Sequence, residues 1–402
     1  MHRLAGLLLL PLACTSTPAG SAADASTGGS TTGDAPTVAG SQDTTAAAVT
    51  TSGGADATAT GVAGTSTAEP MTTTSAGPTT AATETGDATG EATSDATGEA
   101  TSEATGEATT DGGDAVYDPD KDGPWDIAEI SGSVMVGDVA VGIDCFYPTS
   151  GPQAGPYPVV VVAHGFQLPP TQYTKYVQRL ATHGYVALTA DFKADLFNTD
   201  HVANAQQVLA GIDWAADEPA LAGLADTNNV GLTGHSLGGK LAIFGAVLDE
   251  RVRASITLDP VDGAQMCNPQ KCPDVSDMLP TDVPLGFVGE TLDGSGGFMP
   301  CAPAANNFLT FYAAATAPAL AVTVNGANHM SFLDDVDSCG FVCSFCNPPT
   351  LANDVVNALS RAYVVAFYGR HLKGEAGYDA YLTGATAQAR YVETGLVDLD
   401  EK

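Results

Sequence analysis

The clearest chemical pattern in the chain is Gly234-His235-Ser236-Leu237-Gly238, which lies between an apolar stretch and small, apolar residues at helical spacing. Glycines two residues before and after a serine allow a tight turn from a strand into a helix, in which the serine hydroxyl is exposed. Ser236 is therefore a candidate nucleophile. The alternative interpretation is a serine that caps a helix after a glycine turn.

A serine that attacks an acyl group needs a base within hydrogen-bonding distance and an acid that orients this base. His329 is the candidate base, because it lies in a loop just past the last predicted strand. Asp259 and Asp293 are both candidates for the acid, since each follows a predicted strand, and Glu290 is a weaker third. Spacing alone leaves the choice between the two aspartates open.

Two backbone N–H groups are predicted to form an oxyanion hole. Leu237 directly follows the serine, and Phe166 lies at the start of the loop after an apolar strand. Loss of one such donor typically lowers turnover by about 10²- to 10³-fold. Because both donors belong to the backbone, substitution of the side chains would not reveal them.

The elements that must position these residues alternate between apolar strands and amphipathic helices. After a hairpin over 134–146, strands are predicted at 159–163, 186–189, directly before Ser236, 254–258, 285–289 and 320–324, and helices at 173–182, 204–216, directly after Ser236 and 352–371. Such alternation indicates an α/β fold with a mostly parallel sheet and helices on both faces. Ligands bind such sheets at the carboxyl ends of the strands, where the candidate residues lie.

Composition divides the 402 residues into three segments. Residues 1–14 combine a basic start, a short apolar run and a small residue before Cys14, which predicts an export signal. Residues 15–114 are almost entirely Thr, Ala, Gly, Ser, Asp and Glu, so we predict a disordered, self-repelling tether, with an adhesive or glycosylated stalk as the alternative. Residues 115–402 are the predicted catalytic domain.

The net charge of −33 and the absence of a basic stripe argue against nucleic-acid binding. Eight cysteines in an exported chain predict disulfides. We expect a local Cys267–Cys272 bridge, a bridge from Cys301 to the cluster at 339–346, and a buried free thiol at Cys145. Zinc bound by Cys339, Cys343 and Cys346 is the alternative, although no fourth ligand accompanies them.

Residues 118–129 match the spacing D-x-D-x-D-G-x5-E of a calcium-binding loop, in which oxygen ligands surround a hard cation. No helix is predicted before this segment, as such a loop would usually have. The alternative interpretation is an acidic hinge between the tether and the domain. The chemistry expected of Ser236 requires no cofactor and no metal.

Several motifs, all in register, resemble chlorophyllases and their bacterial relatives. They are Gly123-Pro124-Trp125, His164-Gly165-Phe166, the stretch from Tyr173 to Tyr185, Gly234–Lys240, Asp259-Pro260-Val261-Asp262-Gly263, Pro300-Cys301-Ala302-Pro303 and His329–Asp335. The resemblance covers about 123–372 and implies a serine esterase of the α/β-hydrolase superfamily. Platelet-activating-factor acetylhydrolases and cutinase-like polyester hydrolases are similar more distantly.

The resemblance also implies a choice of acid. Chlorophyllases and acetylhydrolases carry the acid at the position of Asp259, whereas cutinase-like enzymes would favour Asp293, so Asp259 is preferred. Leu237 departs from plant chlorophyllases, which commonly have arginine there, and the substrate is therefore not inherited from the family. Leu12-Ala13-Cys14 resembles the signal of bacterial lipoproteins, apart from Pro11, and implies a lipid anchor at Cys14.

These patterns predict an exported serine carboxylic-ester hydrolase that acts through an acyl-enzyme on lipid-like or polyester-like esters. The protein is expected at the outer membrane or cell surface as a lipoprotein, or otherwise secreted. The connection at 260–284 is too short for a cap domain, which predicts an open cleft. The alternatives are an acetylhydrolase or acyltransferase of the same fold, a peptidase, and a catalytically silent surface adhesin.

Overall fold

The computed structural model describes residues 116–195, 199–263, 267–295 and 300–402. The predicted export signal (1–14) and tether (15–114) lie outside the described residues. The strands are β1 (Asp126–Val136), β2 (Val139–Ser150), β3 (Tyr157–Ala163), β4 (Val186–Asp191), β5 (Ala225–Gly234), β6 (Val252–Leu258), β7 (Leu285–Glu290), β8 (Ala319–Val324) and β9 (Val397–Glu401). The helices are α1 (Thr174–Thr182), α2 (His201–Asp217), α3 (Leu237–Leu248), α4 (Phe308–Ala314), α5 (Asn353–His371), and the short α6 (Asp379–Leu382) and α7 (Ala385–Ala387).

The strands form one sheet in the order β1-β2-β4-β3-β5-β6-β7-β8-β9. Strands β3 to β8 are parallel to one another, while β1, β2 and β9 pair antiparallel at the two sides of the sheet. This arrangement confirms the predicted α/β-hydrolase fold, with a mostly parallel sheet. All the parallel strands end at the same edge, which is called the carboxyl edge below.

Helices cover both faces of the sheet and create two apolar cores. Successive residues of β3 point to opposite faces, so Val160 and Val162 pack in one core and Val159 and Val161 in the other. The first core also contains α1 and α5, and the second contains α2, α3 and α4. A strand covered on both faces has to be apolar throughout, as the Val159–Val162 run is.

Three details were not expected from the sequence. The first hairpin is longer than predicted, because β1 and β2 continue as partly exposed strands with polar residues on one face. Strand β9 was missed because its two apolar residues, Val397 and Leu399, alternate with acidic ones. The short α4 was missed as well, since its Phe308 and Phe311 bury only one narrow side of the helix.

The cysteines form the pairs Cys267–Cys272, Cys301–Cys346 and Cys339–Cys343. The first two agree with the expectation, and Cys145 is the buried free thiol. Burial, together with the charge of Glu218, raises the pKa of this thiol to about 12. The zinc interpretation of Cys339, Cys343 and Cys346 is wrong, because disulfide formation consumes the thiolates that would bind the metal.

The acidic segment at 118–129 is held by cationic side chains. Arg390 pairs with Asp118 (2.9 Å) and with Asp120, and Arg179 pairs with Asp122 (2.8 Å). No three of the carboxylates in this described segment lie together as a set of potential ligands. These contacts favour the hinge interpretation over the calcium loop.

The chain enters the sheet at the edge opposite the carboxyl edge. Gly123 donates its N–H to Thr182 at the end of α1, and β1 then begins beside the end of β2. The end of β2 lies next to the beginning of β4, where Phe146 pairs with Ala187. In the described part of the chain, no helix combines the length and the apolar character needed to cross a bilayer.

Two of the disulfides close loops of very different size, and we therefore predict that their removal lowers the stability of the protein by different amounts. Cys301–Cys346 closes 45 residues and Cys267–Cys272 closes 5. In the chain-entropy model these loops are worth about 4 and about 2 kcal/mol. We expect Cys301→Ala/Cys346→Ala to lower the free energy of unfolding by more than the matched control Cys267→Ala/Cys272→Ala. Denaturant titration of both variants measures this, and equal losses would contradict it.

Candidate active site

The candidate residues from the sequence all follow strands at the carboxyl edge. Ser236 lies between β5 and α3, Asp259 directly follows β6, Asp293 follows β7, His329 follows β8 and Phe166 follows β3. Because these strands are adjacent or nearly so, five segments distant in sequence meet in one region.

Ser236 occupies a turn that only glycine neighbours allow. Its φ of 57° lies in the left-handed region that side chains disfavour. A Cβ at Gly234 would lie 2.3 Å from the backbone of Gly238, and a Cβ at Gly238 would lie 2.2 Å from the Ala163 carbonyl oxygen. The Ser236 side chain makes no capping hydrogen bond to α3, which disfavours the helix-cap interpretation.

Backbone strain is concentrated around this turn. Among the described residues, the non-glycine residues with positive φ are Gln167 (58°), Ser236 (57°) and Asp259 (42°). They follow β3, β5 and β6 at the carboxyl edge. Conformations of this kind cost about 1–3 kcal/mol each and cluster at functional sites. The backbone geometry therefore identifies the same region as the sequence motifs.

His329 connects the serine to one of the two candidate acids. Its Nε2 lies 2.8 Å from Ser236 Oγ, and its Nδ1 lies 2.6 Å from Asp259 Oδ2. A carboxylate only accepts hydrogen bonds, so Nδ1 carries the proton and Nε2 accepts from the serine hydroxyl. Such an arrangement can transfer a serine proton to imidazole during attack on an acyl carbon.

Asp293, the other candidate acid, contacts the backbone of His329 and not its ring. Its Oδ2 accepts the His329 N–H (2.8 Å), and its Oδ1 accepts the Asn347 N–H (2.7 Å). The Cys301–Cys346 disulfide adjoins the same contact, because Asn347 follows Cys346. Asp293 thus holds the histidine-bearing loop against the loop at 339–347.

Glu290 adds a third buried carboxyl group behind the histidine. One of its oxygens accepts the N–H groups of Leu292 and Asp293, while its Oε1 and the Asp259 Oδ1 have no hydrogen-bond partner among the described residues. Burial raises the pKa of Glu290 from an ordinary value of 4.5 to about 8, with smaller contributions from the charges of Asp259 and Asp293. Burial also raises the pKa of Asp259, against the opposing effect of His329.

A fully buried ion pair joins the helix after Ser236 to the segment after Asp259. Lys240 Nζ lies 2.9 Å from Asp262 Oδ1 and also donates to the Asp262 carbonyl oxygen at 3.1 Å. The Val261 N–H donates to the Ser236 carbonyl oxygen at 3.2 Å. The segment that carries the acid is therefore attached at two points to the turn that carries the serine.

The two expected oxyanion donors lie at the start of α3 and in the loop after β3. Leu237 is the first residue of α3, where an N–H has no acceptor within the helix. Phe166 lies in the tight loop after β3, where the Leu168 N–H bonds to the Gly165 carbonyl oxygen (3.1 Å). His164 stacks on Phe192 beside this loop.

Sequence patterns did not reveal the ion pair of Lys240 with Asp262, and they indicated Glu290 only as a weaker candidate for the acid. Lys240 could have been noticed, because a lone lysine in the run Leu237–Leu248 has no polar helix face to occupy. Asp293, Cys301 and Cys346 form the one group of potential metal ligands found in the described residues. The two cysteines are bonded to each other, so this group cannot act as a thiolate site.

Comparison with known proteins finds one matching family model and several similar proteins. The family model described as chlorophyllase matches residues 143–389. The chain is 31% identical to chlorophyllase-1 of Arabidopsis thaliana over 205 residues, which are 47% of this chain and 63% of that protein. It is 30% identical to bis(hydroxyethyl) terephthalate hydrolase of Streptomyces coelicolor over 138 residues, 34% of this chain and 44% of that protein. It is 25% identical to cutinase 2 of Thermobifida cellulosilytica over 142 residues, 35% of this chain and 52% of that protein. The chain spans less than two thirds of each relative's length.

The raised pKa of Glu290 predicts a pH dependence of stability. Between pH 4.5 and about pH 8 the folded state keeps a proton that the unfolded state releases, so stability falls as the pH rises through this window. Glu290→Gln cannot ionise and should become more stable than the wild type as the pH rises, by at most about 5 kcal/mol above pH 8. Urea denaturation at pH 5, 7 and 9 measures the difference.

The matched control is Glu250→Gln, which makes the same substitution at an exposed position. A Glu290→Gln protein whose stability differs from wild type by the same amount at all three pH values would show that Glu290 ionises normally.

Proposed function

Because the chain belongs to the chlorophyllase family, we propose that it is a serine carboxylic-ester hydrolase that acts through an acyl-enzyme. The observation that carries the proposal is the series of short contacts from Ser236 Oγ to His329 Nε2 and from His329 Nδ1 to Asp259 Oδ2. The contacts occur at the carboxyl edge, on a strained turn, where the fold binds ligands.

In the proposed acylation step, Ser236 Oγ attacks the ester carbonyl carbon while His329 Nε2 accepts the serine proton. Asp259 holds the imidazole with Nδ1 protonated and stabilises the imidazolium that forms. The N–H groups of Phe166 and Leu237 stabilise the negative oxygen of the tetrahedral intermediate. When the intermediate collapses, His329 returns the proton to the departing alcohol.

Deacylation repeats these roles with water as the nucleophile. His329 accepts a proton from water, the carbonyl carbon of the acyl-enzyme is attacked, and Ser236 departs as it regains its proton. The acid and base are both side chains of this chain, so the proposed reaction requires no cofactor.

The proposed substrates are lipid-like or polyester-like esters. The names of the relatives, a terephthalate ester hydrolase, a cutinase and the chlorophyllases, support a carboxylic ester of an extended or apolar molecule. Leu237 provides no charge beside the nucleophile, in contrast to the arginine of plant chlorophyllases. The short connection between β6 and β7 is suited to an open cleft.

We also propose that the protein is exported and attached to a membrane through a lipid on Cys14. The disulfides support an oxidising compartment. The residues between the anchor and the domain, 15–114, would act as a tether. The full chain and Cys14→Ser, expressed in a bacterium with radiolabelled palmitate, should differ in both label and membrane association. An unlabelled wild-type protein in the culture medium would instead indicate free secretion.

Substitution of the three proposed catalytic residues tests the function. With a short p-nitrophenyl ester, Ser236→Ala should lower kcat by about 10⁶-fold and Asp259→Asn by about 10⁴-fold. Ser236→Ala should also abolish labelling by a fluorophosphonate. Asp293→Asn leaves one acceptor oxygen for the two backbone N–H groups of His329 and Asn347 and should cost about tenfold or less.

The comparison of Asp259→Asn with Asp293→Asn decides which aspartate is the acid. A larger loss for Asp293→Asn would assign the acid to that residue. Full activity of Ser236→Ala would exclude the mechanism, and a folded wild-type protein that is neither active nor labelled would favour the adhesin alternative.

A further inference from the structure

A series of buried hydrogen bonds connects three segments of the site, and the proposed mechanism leaves it without a role. The Gly165 N–H donates to the Tyr173 hydroxyl oxygen (3.0 Å), and that oxygen lies 2.9 Å from His235 Nδ1. His235 Nε2 in turn lies 2.7 Å from the His329 carbonyl oxygen. The loop after β3, the turn before α3 and the loop after β8 are thus linked through two side chains.

The chemistry of the groups determines the direction of each hydrogen bond. The His329 carbonyl oxygen can only accept, so His235 Nε2 carries a proton and donates it. In a neutral imidazole the other nitrogen accepts, and the Tyr173 hydroxyl therefore donates to Nδ1. Burial, with a contribution from the charge of His329, lowers the pKa of His235 well below its ordinary value and keeps the ring neutral.

Neither side chain has an alternative partner in solvent, because both are fully buried. His235 Nε2 donates, His235 Nδ1 accepts, and the Tyr173 hydroxyl does both. A buried polar group that loses its partner destabilises the fold. Displacement of one segment would therefore break hydrogen bonds in the other two.

Tyr173 and His235 also explain why residue 165 is a glycine. A Cβ at this position would lie 2.9 Å from His235 Nδ1 and 3.2 Å from the Tyr173 hydroxyl oxygen. Glycine thus leaves the space that these two polar atoms occupy. The residue that follows Gly165 is Phe166, whose N–H is one of the two proposed oxyanion donors.

We propose that Tyr173 and His235 are positioning residues that orient the Phe166 N–H relative to Ser236 and His329. Tyr173 fixes the peptide segment before Phe166, and His235 ties it to the backbone of the base. The inference rests on the proposed function, because the oxyanion to be stabilised arises on an ester attacked by Ser236. The pair acts on turnover through the oxyanion donor and does not itself contact the ester.

Tyr173→Phe provides the first test, because it removes one hydroxyl and leaves the ring. An oxyanion donor binds the transition state more strongly than the substrate, so kcat should fall about 10- to 100-fold while KM changes less than about threefold. A trifluoromethyl ketone forms a tetrahedral adduct with an active serine. Its affinity should fall by the same factor as kcat/KM, which a purely structural defect would not produce.

His235 provides a second, independent pair of variants. Glutamine keeps one acceptor and one donor, whereas leucine keeps neither, so His235→Gln should retain more kcat and more analogue affinity than His235→Leu. If Tyr173→Phe does not fold, this comparison decides. The matched control is Tyr368→Phe, which removes another fully buried hydroxyl, 2.6 Å from Thr233 Oγ1, and should keep wild-type kcat and analogue affinity.

Wild-type kcat and analogue affinity in a folded Tyr173→Phe protein would overturn the proposal. Equal activities of the glutamine and leucine variants of His235 would do the same. Failure of the proposed function gives a different result, since wild-type hydrolysis would then not depend on Ser236 at all.

Discussion

The close approach of α3 to the end of β3 is the constraint on which the site depends. A side chain at Gly238 would overlap the Ala163 carbonyl oxygen, so only glycine lets the helix begin so near the sheet. This approach brings Leu237 next to the loop that carries Phe166. The Ser236 N–H donates to the Leu258 carbonyl oxygen at 3.0 Å, so the same turn also anchors the strand that directly precedes Asp259. One steric requirement thereby brings together the proposed nucleophile, the proposed acid and both proposed oxyanion donors.

Around this turn the fold buries charges that would be better solvated elsewhere. A buried ion pair such as Lys240–Asp262 is often no more stabilising than two well-packed apolar residues would be. Glu290 adds a carboxyl group whose burial favours its neutral form. We interpret these groups as contacts that fix the geometry of the site, because directional contacts specify the relative position of two segments more narrowly than apolar packing does. The two large apolar cores on either face of the sheet supply the stability that offsets the cost of burying these charged groups.

The sequence was most informative where one physical rule determines both residue type and structure. Strands buried on both faces must be apolar, and this rule predicted β3, β6 and β7. Strand β9 lies at the side of the sheet, and its apolar residues alternate with acidic ones, so the rule did not reveal it. The glycines around Ser236 were equally informative. The two aspartates could not be separated by spacing, because their strands are neighbours that end at the same edge, and each contacts His329. One reaches the ring and the other the backbone, a difference that depends on side-chain direction.

The position at which the chain enters the sheet has a practical consequence for the orientation of the domain. Gly123 is hydrogen-bonded to Thr182 at the edge of the sheet opposite Ser236, and Asp118 is paired with Arg390. A domain held on a bead, a fibre or a fusion partner through residues close to Gly123 would therefore keep the edge that carries Ser236 turned outward.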